Sequence, residues 1–352
     1  MTQTTDERTR PALPELLARV VRGLHLTADE AEAAFTTIME GRATPVQVGA
    51  LLIALRAKRE HPAEVAGGVR ALRAAMVPVA ADRPGELVDT CGTGGGAVTT
   101  FNISTAAALV AAGAGVRVAK HGNRSFTSRC GSADVLAQLG VAIELSPAAM
   151  AAVLAQAGIV FMFAPLLHPA MKHVAPVRRE LGVATVMNVL GPLTNPAGAR
   201  RQVVGVADGG LIELIAGALL ELGHTHALVV HGEPGLDEIS PVGETDVIEV
   251  RNGEMTRYRL RAHQLIGQSG DDLDELAGGS PEHNASIIDC VLRGITHGLA
   301  RAAVLLNAAA AIYVAGRAAT LEEGMAAARS ALDSGAAATV LDRLRSASQN
   351  AR

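Results

Sequence analysis

The chain has 352 residues, of which 49% are apolar and 2% aromatic, with no Trp and a formal net charge of -4. This length and apolar content supply a core for one large domain plus a smaller one and exclude global disorder. Few aromatic rings and a negative net charge speak against a nucleic-acid binder, which needs stacking platforms or a broad basic surface, although a local basic cleft stays compatible with both.

No apolar run reaches membrane-spanning length without Gly, Arg or Asn interrupting it, so no membrane partner is expected. The three cysteines, Cys91, Cys130 and Cys290, are odd in number and match no metal or disulfide framework. Reduced thiols in a cytoplasmic protein are therefore expected. The N-terminus, MTQTTDERTRP, lacks an apolar signal core, and residues 1–10 read as a frayed tail.

From Leu13 to Val79 the pattern is helical. A first helix opens at Pro14 and ends near Gly23. Thr27-Ala28-Asp29-Glu30 is a capping-box start, and its helix ends near Gly41. Thr44-Pro45 begins a third, with Val48, Leu51, Leu52 and Leu55 as its apolar stripe. His61-Pro62 begins a fourth, with Val65, Val69, Leu72 and Met76 on one face. This small helical unit ends in a linker, Pro78 to Gly85.

From Glu86 short strands alternate with helices. Strands are expected at Glu86–Asp89, Val116–Ala119, Ala142–Leu145, Ile159–Phe163, Gln202–Val206, His226–His231, Asp246–Val250 and Met255–Leu260. Helices are expected at Ser104–Ala112, Ser132–Leu139, Pro147–Ala157, Leu211–Leu222, Pro281–Leu292 and Ala300–Gly316. Such alternation predicts an α/β domain with a mostly parallel central sheet covered on both faces. One helical, cationic piece from His168 to Leu190 interrupts it, carrying Lys172, His173, Arg178 and Arg179; it reads either as a solvated face or as part of a site.

The densest chemistry lies between Glu86 and Ser132. A strand runs into Gly92, Gly94, Gly95 and Gly96, and Thr99 to Thr105 then opens an alanine-rich helix. No Walker A string is present. Gly92-Thr93-Gly94-Gly95-Gly96-Ala97 fits a dinucleotide fingerprint, but the second strand ends in Lys120 where that fold wants a ribose-binding acid. Lysine there suits a phosphate or pyrophosphate cradled by backbone N–H groups. A tight turn for helix–strand packing is the structural alternative. Asn102, Ser104 and Thr105 can cap the helix or line a phosphate pocket, and Ser104 can face a metal ion. Asp237-Glu238, after a strand and a turn, suits Mg2+, or is an acidic loop pair. His121 and His168 sit in turns and read equally as structural or catalytic. Asp271 to Glu275 reads as a solvated helix start.

These strings together resemble the anthranilate phosphoribosyltransferases. The carriers are Asp89-Thr90-Cys91-Gly92-Thr93-Gly94-Gly95, Phe101 to Thr105, Lys120 to Ser125, Gly131-Ser132-Ala133-Asp134, Gly191 to Pro196 and Gly235-Leu236-Asp237-Glu238, in the family's order across nearly the whole chain. The resemblance implies a small all-helical domain hinged to a large α/β domain. Its boundaries would be 1–80, joined in space by the insertion 168–188, against 81–167 with 189–352. It implies transfer of the phosphoribosyl group of 5-phosphoribosyl 1-pyrophosphate (PRPP) to the amine of anthranilate, giving N-(5-phosphoribosyl)anthranilate and pyrophosphate in tryptophan biosynthesis, by a homodimer joined through the helical domain.

Carried over residue by residue, Gly92, Gly95, Gly96, Thr100, Asn102, Ile103, Ser104, Thr105, Lys120, Ser128 and Ser132 would hold PRPP. Ser104, Asp237 and Glu238 would ligate Mg2+. Gly92, Asn123, His168 and Arg178 would meet anthranilate, with Arg178 facing its carboxylate and His121 along the same channel. Lys120, Arg178 and His121 are the catalytic candidates. Many members carry Asp-Gly where this chain has Gly96-Ala97, so a backbone contact by Gly96 is expected instead of the acid's. The alternatives are a pyrimidine-nucleoside phosphorylase of the same architecture and a non-catalytic, nucleic-acid-binding paralogue.

Overall fold

The computed structural model describes residues 11–96, 98–125, 129–267 and 272–352. Ala97, Ser128, Asp271 and the tail 1–10 lie outside the described residues. Four helices come first: α1 Leu13–Val21, α2 Ala28–Met39, α3 Pro45–Lys58 and α4 Pro62–Ala75. Thr27 and Thr44 close capping boxes with Glu30 and Gln47, each satisfying otherwise orphaned N–H groups, and each Thr is worth about 1 kcal/mol. The predicted stripe of α3, Val48, Leu51, Leu52 and Leu55, is buried. Truncating any of its leucines to Ala would cost about 2–5 kcal/mol.

The α/β part follows: β1 Leu87–Gly92, α5 Ile103–Gly113, β2 Arg117–Gly122, α6 Ser132–Gln138, α7 Pro147–Ala157 and β3 Ile159–Phe163. The interrupting piece comprises α8 Ala164–Leu167, a 3-10 turn at Pro169–His173, α9 Ala175–Leu181 and α10 Met187–Leu190. Next are β4 Arg201–Gly205, α11 Ile212–Glu221, β5 His226–Gly232, β6 Glu244–Arg251, β7 Glu254–Arg261 and α12 Ala262–Ile266. The chain ends in α13 Pro281–Leu292, α14 Leu299–Val314, α15 Leu321–Asp333 and α16 Ala336–Asn350. Among the described residues seven strands form one sheet, in the order β3-β2-β1-β4-β5-β6-β7. The first five are parallel, and β6 and β7 return antiparallel.

One expectation is corrected and one is sharpened. Ala142–Leu145 is not a strand; it is irregular chain that buries Ala142, Ile143 and Leu145 and exposes Glu144, and the Ala142 N–H donates to Ser348 Oγ at 3.0 Å rather than to a ladder. Burial accounts for its apolar residues, but among the described residues no strand pairs with it. The described part of the run ending at Glu275 is exposed and does open a helix, a short 3-10 one over Leu273–Leu276, whose Asp274 N–H is taken by Asp272 Oδ1.

One core cluster packs α5, α14 and α16 with part of the sheet; the other joins α1–α4 to Val177, Met187 and Leu190 and to Val204, Val229 and Ile248 of the sheet. The insertion touches the helical unit directly. A Cβ built on Gly49 of α3 would lie 3.5 Å from Val177 Cγ1, and Gly41 abuts the His173 ring. The start of the linker is pinned by Val79 N–H to Pro196 O at 3.0 Å and, one residue before it, by Val77 N–H to Leu167 O at 2.8 Å.

Candidate active site

Strand order reverses between β1 and β4: the chain steps outward to β2 and β3, then resumes on the other side. In parallel sheets such a switch opens a crevice at the strands' carboxyl ends. The candidate residues gather there. Gly92 ends β1 opposite Gly205 of β4, and Lys120 to Gly122 end β2. A Cβ on Gly92 would lie 2.3 Å from Asp237 Oδ2, and one on Gly205 would lie 1.6 Å from Asp237 O. Glycine at both positions lets the Asp237 loop descend into the switch point. Gly94 and Gly95 follow with φ of 65° and 77°, turning the loop back.

The acid pair meets the glycine loop and the helix start. Gly94 N–H donates to Asp237 Oδ2 at 2.9 Å, and Ser104 N–H donates to Glu238 Oε1 at 3.0 Å. The two backbone donors expected to cradle an anion thus already hold carboxylates. Lys120 is 3% exposed. Its Nζ donates to Thr90 O and to Ser104 Oγ, the latter at 3.3 Å. Burial lowers the Lys120 pKa, and the charges of Asp89, Glu238 and Asp237 work against that fall. Glu238 is half-buried, and desolvation with the Asp237 charge pushes its carboxyl up to about 8.

Beneath the lysine lies a second network. Asp89 is fully buried; its carboxylate accepts from His121 N–H at 3.2 Å and Asn195 Nδ2 at 2.8 Å. Burial raises Asp89 to about 6 against the pull of Lys120. Asn195 also donates to Ala119 O at 2.8 Å, so the Gly191–Pro196 string braces the end of β2. Sequence reading singled out neither Asp89 nor Asn195 as a site residue. An acid inside an apolar strand was the available signal for Asp89.

The remaining candidates divide. Asn102 makes no side-chain cap; its amide is taken by Cys130 O at 3.2 Å and Asn284 at 2.9 Å. Ile103 puts its side chain in the core, and its N–H donates to Phe101 O at 2.7 Å. Thr105 is buried with an unpartnered hydroxyl, lining a small cavity with Lys120. Thr100 bridges to Ala277. Ser132 Oγ lies 3.4 Å from Asn123 O, and Asn123 Oδ1 accepts from Arg124 N–H at 2.7 Å. A Cβ on Gly96 would lie 3.0 Å from Gly235 O and 3.3 Å from Ala207 Cβ, leaving little room for a side chain in this loop conformation.

His121 and His168 come together, Nε2 to Nε2, at 3.2 Å. Burial holds them down, to about 3 and about 4, so both are neutral at pH 7. Arg178 on α9 is half-buried, with Nη2 3.5 Å from Asn188 Oδ1. Cys91 and Cys130 are poor nucleophiles, because desolvation raises both thiols, Cys130 to about 11.

Two family profiles match: "Glycosyl transferase family, helical bundle domain" over residues 14–76 and "Glycosyl transferase family, a/b domain" over residues 84–338. The anthranilate phosphoribosyltransferase of Roseiflexus castenholzii is 53% identical over 329 residues, covering 93% of this chain and 96% of that one. The chain belongs to the anthranilate phosphoribosyltransferase family. The crystal structure of the family member from Thermus thermophilus superposes with a TM-score of 0.89 at 44% identity, over 95% of this chain and 99% of that one. The enzyme from Saccharomyces cerevisiae, solved in complex with PRPP and Mg, superposes with a TM-score of 0.85 at 26% identity, over 96% and 98%. Family membership favours this acceptor chemistry over the pyrimidine-nucleoside phosphorylase and nucleic-acid alternatives.

Proposed function

We propose that this chain transfers the phosphoribosyl group of PRPP to the amine of anthranilate, releasing pyrophosphate, as a step of tryptophan biosynthesis. The observation that carries the reading is convergence at one switch point of a glycine loop, the N-terminus of α5, a buried lysine and an adjacent carboxylate pair that the Gly94 and Ser104 N–H groups hold in place. Such a set recognises a polyphosphate with its counter-cation.

The donor set fits Mg2+. Asp237 and Glu238 offer carboxylate oxygens, Ser104 a hydroxyl, and Mg2+ is commonly held by one or two carboxylates plus substrate phosphates. Bound there, Mg2+ would neutralise charge growing on the departing pyrophosphate. Lys120 and the N–H groups of the glycine loop and of α5 would hold the phosphates in place. Gly92, Gly95, Gly96, Thr100, Asn102 and Ser132 complete the proposed donor-substrate wall, with Ile103 and Thr105 supporting it from the core.

The C1–O bond to pyrophosphate breaks as the amine nitrogen of anthranilate bonds to C1, and the nitrogen then sheds a proton. An aromatic amine is neutral at pH 7, so positioning and charge stabilisation carry the rate rather than a strong base. Neutral His121 and His168 would line the acceptor's path with Asn123, and Arg178 would pair with its carboxylate.

We also propose the division into a helical unit through residue 80 with 168–188, and an α/β unit of 81–167 with 189–352. The contact of Val177 with Gly49 supports it. We also propose a cytoplasmic homodimer joined through the helical unit, as the family resemblance implies; Val21, Leu24 and Val46 of that unit, 68%, 48% and 80% exposed, offer apolar surface for such a seam.

The test of the reaction is pyrophosphate release with purified protein, PRPP, Mg2+ and anthranilate. One pyrophosphate per anthranilate consumed is expected, and none when anthranilate is omitted. Phosphorolysis of thymidine with no reaction on anthranilate would replace this reading with the phosphorylase one.

A further inference from the structure

Asn284 belongs to none of the motifs above. It sits in the first turn of α13, is 1% exposed, and has its amide used at both ends. Its Oδ1 accepts from Gly279 N–H at 2.7 Å, and its Nδ2 donates to Asn102 Oδ1 at 2.9 Å. Asn102 in turn donates from Nδ2 to Cys130 O at 3.2 Å and accepts from Cys130 Sγ at 3.3 Å. Each amide has a donor and an acceptor at opposite corners, so this chain of bonds fixes both orientations.

The same stretch of chain straps the approach to the phosphate cradle. Phe101 N–H donates to Leu276 O at 2.9 Å and Gly278 N–H to Thr99 O at 3.2 Å, around the bridge Thr100–Ala277. A Cβ on Gly278 would lie 2.3 Å from Thr100 O, so the strap lies against its neighbour's backbone. Residues 276–279 therefore hold 99–101 from one side, and Asn284 fastens Asn102 at the end of the strap. One residue beyond Asn102, α5 begins, with Ser104 facing Lys120 and Glu238.

We propose that Asn284 is a positioning residue for the PRPP site: it acts through Asn102 to set the N-terminus of α5 for phosphate binding. This rests on the PRPP reading above. A purely structural asparagine would be felt in stability. One that acts through Asn102 is felt in PRPP binding, and no longer once Asn102 is gone.

The experiment is a double-mutant cycle of Asn102→Ala and Asn284→Ala, with KM for both substrates, kcat and melting temperature measured for each protein. Asn284→Ala is expected to raise the KM for PRPP roughly ten- to a hundred-fold, as for loss of a buried hydrogen bond. The KM for anthranilate should change less than about three-fold. In the Asn102→Ala background the second substitution should add less than about two-fold. Multiplicative effects in the double variant, or a lower melting temperature with both KM values unchanged, would overturn the proposal. If Asn102→Ala raises the KM for PRPP and Asn284→Ala does not, only this proposal fails. If Asn102→Ala itself leaves that KM unchanged, the assignment of Asn102 to the PRPP site fails as well. Should Asn284→Ala not fold, Asn284→Ser is measured in its place, since its side chain is too short to serve both Gly279 and Asn102.

Discussion

The two halves of the candidate site are built differently. On the phosphate side, Lys120 is buried, Gly94 and Ser104 already point their N–H groups at carboxylate oxygens, and Asp89 and Asn195 brace the strand end below. On the acceptor side, Arg178 is half-buried on a seven-residue helix and reaches Asn188 at 3.5 Å, the limit of a hydrogen bond. The difference follows the chemistry. Charge develops on pyrophosphate as its bond breaks, and a lysine and a carboxylate pair fixed beforehand can meet it, through a counter-cation, with little reorganisation. The aromatic acceptor mainly needs placing and shielding from water, a task that under the proposed function falls to a segment packed on the helical unit.

The largest effect should come from removing the carboxylates. An Asp237→Asn, Glu238→Gln double variant is expected to lose Mg2+-dependent turnover, read from rate against Mg2+ concentration. An unchanged titration curve would remove both residues from the metal site. Lys120→Ala should lower kcat/KM for PRPP by roughly 10²–10³-fold, the scale of one preorganised electrostatic donor. A loss below ten-fold would break the claim that the phosphate side carries the catalysis. Arg178→Ala should raise the KM for anthranilate by roughly ten- to a hundred-fold, the scale of a charge-assisted pair, and that for PRPP far less. Equal effects on both substrates would erase the division between the halves.

The smallest effect concerns stability. His121 and His168 titrate near 3 and 4 in the folded chain, below the ordinary value of about 6.5. The unfolded chain therefore binds more protons between these limits. Their contribution is fully present above pH 6.5 and is lost as pH falls, by at most about 1.4 kcal/mol per pH unit for each group. Asp89, raised to about 6, works the other way: its contribution is present below its unfolded pKa and is lost as pH rises through 6. Urea unfolding of wild type and His168→Asn at pH 7 and pH 5 separates them. The variant should lose less stability on acidification, and parallel losses would contradict neutral burial of His168.

The sequence made legible what is local. β3 was expected at Ile159–Phe163 and forms there, because a short apolar run after Gly158 has one way to be buried in a parallel sheet. The glycine loop, Lys120 and the acid pair were readable for the same reason, as strings whose chemistry lies in adjacent residues. The false strand at Ala142–Leu145 shows the limit: alternation reports burial, whereas a ladder needs a neighbour chosen elsewhere in the chain. α15 and α16 were missed, although Thr320 and Glu323 form a cap at the start of α15 that was there to be read. Nothing local could have paired Asp89 with Asn195 across 106 positions or Asn102 with Asn284 across 182. Those partners are set by the order of strands and by the return of α13 over the cradle.

The most direct test of the account is anthranilate fluorescence followed with the purified wild-type protein. On addition of PRPP and Mg2+ the signal should fall with time, and excess EDTA should stop the fall. A signal that stays constant with both present, in protein shown to be folded, would contradict the account.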